Sequence, residues 1–128
     1  MLQIAESEVL RTRTKKFALA IIRLCEGLPK GLTASVIGKQ LIRCGTSVGA
    51  NYRAACCGKS KPDFIAKLAI VHEEIDECQY WLELLIESKL VAQDKGEAAI
   101  KEASEILYIV IASLKTAREN LKPGRDAS

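Results

Sequence analysis

Apolar residues recur at three- and four-residue steps along most of the chain, and this spacing predicts helices rather than strands. A first helix is expected over about residues 14–26, where Phe17, Ile21 and Leu24 share a stripe with Ala18, Ile22 and Cys25 beside it. Gly27, Pro29 and Gly31 end it, because glycine reverses the chain and proline cannot continue a helix. Residues 1–10 either extend this helix or fray. A second helix is expected over about 34–57, with Thr33 as N-cap and Gly58 as stop. The third, over about 61–88, has Ser60 as N-cap, Asp63 in the capping-box position and Pro62 in the first turn. The fourth, over about 95–121, has Asp94 as cap and Glu97 three residues on, and Lys122-Pro123-Gly124 closes it. The tail after Pro123 is expected to be disordered. Short loops make successive helices antiparallel, so residues 1–128 are expected to form one all-α domain, an up-down four-helix bundle.

Helices three and four carry heptads. Phe64, Leu68, Val71, Ile75, Cys78, Leu82 and Leu85 alternate steps of four and three, as do Ile100, Ala103, Leu107, Val110, Leu114, Ala117 and Leu121. That seam suits helices crossing at a shallow angle. Other apolar residues fall off it: Ile70, Tyr80, Trp81 and Leu84 on helix three, Ile106 and Ile109 on helix four. Either the core-facing arc is broad or a second interface exists. The surplus favours self-association, with Ile70, Tyr80, Trp81 and Leu84 as the oligomer interface.

At roughly 100° per residue, helix two divides into three faces. Ile37, Leu41, Cys44, Val48, Tyr52 and Ala55 form a core face, and Lys39, Arg43 and Arg53 cluster opposite. Between them runs a stripe of Gly38, Gly45, Gly49 and Cys56. Glycine inside a helix costs about 1 kcal/mol relative to alanine, so the stripe implies close approach of another backbone. A neighbouring helix, a second subunit or a nucleic-acid strand would each satisfy it.

Charge sharpens the picture of the basic face. The net charge is +3, yet Arg11–Lys61 holds eleven basic residues against Glu26 alone, a local charge of +10, while Pro62–Ser128 carries −5. Such asymmetry points to a nucleic-acid partner, or to one half of the molecule pairing with the other. Arg13, Lys16 and Arg23 of helix one lie on azimuths near those of Lys39, Arg43 and Arg53, and these six are the candidate nucleic-acid contacts. Arginine and lysine neutralise phosphates. Aromatic residues do not interleave with them, so RNA or DNA would be read by backbone and shape.

Little else suggests chemistry. Five cysteines without CxxC spacing, and a single histidine, His72, leave no metal site to be expected. Cys57-Gly58-Lys59-Ser60 ends like a phosphate-binding loop, but Arg53 stands where the first glycine belongs. His72-Glu73 begins like a zinc-protease helix, but Asp76 occupies the second histidine position. A di-iron bundle needs two Glu-x-x-His elements, which one histidine cannot supply. No catalytic residue and no cofactor are therefore expected. Uncharged runs such as Ile106–Leu114 are too short to span a bilayer, and the polar start lacks the layout of a signal peptide. A cytoplasmic location with no membrane partner is expected.

Ser47-Val48-Gly49-Ala50-Asn51-Tyr52-Arg53-Ala54-Ala55, Ser60 to Leu68, and Glu77-Cys78-Gln79-Tyr80-Trp81-Leu82 resemble the four-helix-bundle proteins encoded in intervening sequences of 23S ribosomal RNA. The similarity spans roughly residues 14–121. It implies an up-down bundle that assembles as a homopentamer. Relatives serve as accessory proteins of diversity-generating retroelements, so the resemblance also implies a basic surface that engages nucleic acid and a reverse transcriptase as protein partner.

Overall fold

The structure, a computed structural model, describes residues 4–121, with side chains from Ser7 onward. Four helices run up and down: α1 (Ile4–Glu26), α2 (Leu32–Cys56), α3 (Lys61–Glu87) and α4 (Gln93–Glu119). Each packs against its successor and α4 returns to α1. The protein is thus an all-α antiparallel four-helix bundle, and the α1–α4 seam is its sparsest. The expected disordered tail after Pro123 lies outside the described residues. Among the described residues, no helix is long and apolar enough to cross a membrane.

α1 begins about ten residues before the expected start. Leu10, Thr14, Phe17 and Ile21 are all buried, a stripe at helical spacing in which a threonine takes one core position. Thr14 masked the pattern in the sequence. Its hydroxyl donates to the carbonyl of Arg11 at 3.1 Å, which makes burial of this polar group inexpensive.

The turns correct two expected caps and uphold a third. α2 begins after Gly31, not Thr33: Gly31 has φ 151°, which glycine adopts readily, and no side chain caps the helix. Between α2 and α3, Ser60 does cap, its Oγ accepting from the backbone N–H of Asp63 at 3.2 Å. The Asp63 carboxylate reaches past the expected reciprocal partner to accept from the N–H of Lys59 at 3.1 Å. α4 starts after Ala92 with no side-chain cap, and Asp94 lies inside its first turn. Gly96, one turn in, lets the Ile86 side chain of α3 approach closely, since a Cβ there would lie 2.3 Å from Ile86 Cγ1.

α3 ends in a Schellman motif. The N–H of Lys89 donates to the carbonyl of Ile86 and that of Leu90 to the carbonyl of Leu85, both at 3.0 Å. Lys89 takes the left-handed position, with φ 64°, that glycine usually fills.

In the core, the α3 seam is buried at all seven heptad positions, Phe64 through Leu85. Removing one such side chain from water is worth about 1.5–3 kcal/mol. On α4 the buried stripe runs Ala103, Ile106, Val110, Leu114 and Ala117. Ile106, expected off the seam, is fully buried, while Leu107 and Ile100 are half-buried. Ala103 is small, and a broad core-facing arc lets Ile106 turn into the interior beside it.

Candidate nucleic-acid interface

The glycine stripe of α2 faces α1, which resolves what approaches it. A Cβ added at Gly45 would lie 2.9 Å from Cγ2 of Ile21, one at Gly49 3.3 Å from Oγ1 of Thr14, and one at Gly38 3.2 Å from Cδ1 of Leu28. At these three glycines the stripe therefore serves packing against α1 and the turn that follows it.

The six candidate contacts divide. Arg13 reaches across the α1–α4 seam, where its guanidinium donates to Glu102 at 2.7 and 2.8 Å and to Glu105 at 2.7 Å. Arg43 reaches across the α2–α3 seam to Glu74 at 2.9 Å and to Glu77. Each arginine grips a carboxylate pair spaced i, i+3 on the neighbouring helix, which are adjacent on one helix face. Hydrogen bonds to Glu102 and Glu105 raise the affinity of Arg13 for its proton, and those to Glu74 do the same for Arg43. Both charges are committed within the chain.

Lys16, Arg23, Lys39 and Arg53 are exposed and have no ion-pair partner among the described residues. Arg53 stands in the last turn of α2, and Lys16 and Arg23 on the outer side of α1. Lys39 and Lys30 edge an open groove of about 350 Å³ at the α1–α2 turn, floored by Cys25, Leu28, Ala34 and Ile42. Arg11 and Lys15, outside the six, are also exposed and unpaired among the described residues. Because Thr14 sits against Gly49, antiparallel packing sets Arg11 near the level of Tyr52 and Arg53, and Lys15 near that of Val48. The signal was present in the sequence: the glycines of α2 reveal which flank of α1 meets it, and positions 11 and 15 occupy that flank.

The expected oligomer contacts also divide. Ile70 and Tyr80 are exposed, at 41% and 55%, whereas Trp81 and Leu84 are half-buried. The Trp81 ring meets Tyr80 edge-on, with centroids 5.1 Å apart, and its indole N–H donates to Glu77 at 3.4 Å. Trp81 thus joins the Arg43–Glu74–Glu77 cluster to an apolar outer surface. Tyr108 on α4 is more exposed than any of these, at 80%.

All five cysteines are free thiols. Burial pushes the Cys25 thiol up to about 11. Among the described residues, no group of three or more His, Cys, Asp or Glu side chains could hold a metal ion. The His72 ring stands 3.4 Å from Asp76, one turn away on the same helix.

Residues 6–112 match the family described as 23S rRNA-intervening sequence protein. The chain belongs to this family. It is also similar to a crystal structure of a protein of unknown function from the S23 ribosomal protein family of Bacteroides thetaiotaomicron. The identity is 36%, the TM-score is 0.79, and the match covers 83% of this chain and 98% of that one. No curated protein matches the chain. Family membership joins the chain to an rRNA-related group, while the solved relative, itself without a known function, supports the bundle and leaves the chemistry to be argued from the surface.

Proposed function

We propose that the protein is a non-catalytic accessory protein that binds the backbone of RNA or DNA as a homo-oligomer. One observation carries this reading: nine of the eleven cations between Arg11 and Lys61 make no side-chain ion pair with a carboxylate among the described residues. Acids normally intersperse on a solvated surface, and here only Glu26 does so. The contact set is Arg11, Lys15, Lys16, Arg23, Lys39 and Arg53, with Arg13 and Arg43 holding the scaffold. Family membership supports an rRNA-related setting in the bacterial cytoplasm. The resemblance supports a ring of five, and Ile70, Tyr80 and the half-buried Trp81 and Leu84 offer apolar surface for it. A reverse transcriptase fits as protein partner on the same resemblance.

A mobility-shift titration at low salt with structured RNA and with duplex DNA tests this. Binding should weaken similarly across sequences when Lys15 and Arg53 are both changed to Glu, with a shallower dependence on salt. Arg43→Met should change stability and leave binding within about twofold, because a surface ion pair contributes about 0–1 kcal/mol to folding. Absence of binding to either nucleic acid ends the proposal. Light scattering that reports a strict monomer ends the oligomeric part.

The alternative is a homo-oligomeric interaction scaffold that binds no nucleic acid. The commitment of Arg13 and Arg43 to α4 and α3 favours it, because in those two places the charged halves of the chain already complement one another.

A further inference from the structure

Cys44 of α2 and Cys78 of α3 lie side by side in the core, both without exposed surface, with Sγ atoms 3.2 Å apart. Their hydrogen bonds run in series: the Cys78 thiol donates to Cys44 Sγ, and the Cys44 thiol donates to the carbonyl of Leu41 at 3.5 Å. A disulfide needs sulfurs about 2.05 Å apart, so this pair must close by little more than 1 Å. The remaining cysteines offer no rival of this geometry. Cys25 donates to the carbonyl of Gly38 at 3.7 Å, and Cys56 and Cys57 are adjacent in the chain.

We propose that Cys44 and Cys78 form a latent cross-link between α2 and α3, closed by peroxide when the bundle opens. In the folded core the pair is held reduced by inaccessibility. The bond to Cys44, with burial, also pushes the Cys78 thiol up, and a protonated thiol is a poor nucleophile. When α2 and α3 part enough to admit peroxide and a base, the Cys44 thiolate attacks one oxygen, forming a sulfenic acid and releasing the other oxygen as water. The Cys78 sulfur then displaces hydroxyl from that sulfenic acid, and a second water leaves. Two thiols are oxidised by two electrons in total, and one hydrogen peroxide is reduced to two waters. Refolding restores the 3.2 Å neighbourhood, so the bond forms between helices already in register.

The consequence is thermodynamic. Cross-linking residues 34 apart in sequence lowers the unfolding equilibrium constant by several hundredfold, about the loop-entropy value for that span. An oxidising episode that loosens the bundle would thereby tighten it.

The test uses the full chain. Protein treated with hydrogen peroxide, in water and in urea below the unfolding midpoint, is alkylated and digested, and its peptides are weighed. A Cys44–Cys78 linked peptide should appear, and its rate of formation should rise with urea. The same loss of two thiols should persist when Cys25, Cys56 and Cys57 are all changed to Ala. Oxidised protein should melt higher than reduced protein, and dithiothreitol should reverse the gain. Linkage of other cysteines in preference, sulfinic acid at Cys44 without a cross-link, or a linked form that melts lower would each overturn the proposal. If Cys44→Ser or Cys78→Ser fails to fold, the peptide map of the unaltered chain still decides.

Discussion

The α1–α2 half and the α3–α4 half of this bundle reach the same architecture by opposite means. α1 and α2 approach through glycine, with Gly45 against Ile21 and Gly49 against Thr14, and leave their cations outside. α3 meets its neighbours through a heptad seam of full-sized side chains, Phe64 to Leu85, and carries seven of the sixteen acids. Where glycine lets two helices approach closely, Phe17, Ile21, Leu41, Val48 and Tyr52 are still fully buried beneath, and the cations stay on the outer surface. Where packing is done by large side chains throughout, the element becomes the anchor of the fold. Arg43 and Arg13 stitch the two halves across their seams.

The largest break in that comparison comes from the anchor. Leu82→Ala removes a fully buried side chain and should lower stability by about 2–5 kcal/mol in urea titrations, with unchanged slope. On the glycine side, Gly45→Ala should cost about 1–2 kcal/mol, as overpacking against the branched Ile21 outweighs the gain in helix propensity. Gly38→Ala, which meets only the movable end of Leu28, should be close to neutral by the same measurement. If Gly45→Ala stabilised the protein instead, the close-approach account of α1–α2 would fail.

Two smaller effects sharpen the comparison at the turns. Lys89→Gly should stabilise by about 1 kcal/mol, because glycine occupies the left-handed C′ position without steric cost. The smallest effect concerns acid. The Lys67 ammonium, 2.6 Å away, and then the N–H of Lys59 hold the Asp63 carboxyl below its ordinary 3.8. A depressed carboxyl contributes above its unfolded value and loses that contribution as pH falls through the folded one. Asp63→Asn should therefore flatten the acid limb of a stability–pH profile and leave the region above pH 5 unchanged in shape.

The bundle was legible because the heptads of α3 and the Gly/Pro punctuation are strong local signals. The start of α1 was not, because Thr14 interrupts the apolar stripe with a residue whose burial depends on a glycine 35 positions away. Thr33 and Asp94 failed as caps because no side chain folds back on either helix. α2 starts instead from the backbone conformation of Gly31, and α4 follows Ala92 without a side-chain cap. The basic character of α1 and α2 was visible as composition, but the sorting of its cations was not. Arg13 and Arg43 look like their neighbours until the i, i+3 acids of α4 and α3 are set opposite them.

The thin α1–α4 seam gives the molecule an order of coming apart. α1 is held closely along one side only, by α2, where Thr14 and Ile21 seat against Gly49 and Gly45. Its amides should therefore exchange with solvent deuterium fastest among the helices, through openings that leave α2, α3 and α4 folded. The slowest amides should cluster around Cys44, Val48, Ile75 and Cys78, where α2 and α3 meet most extensively.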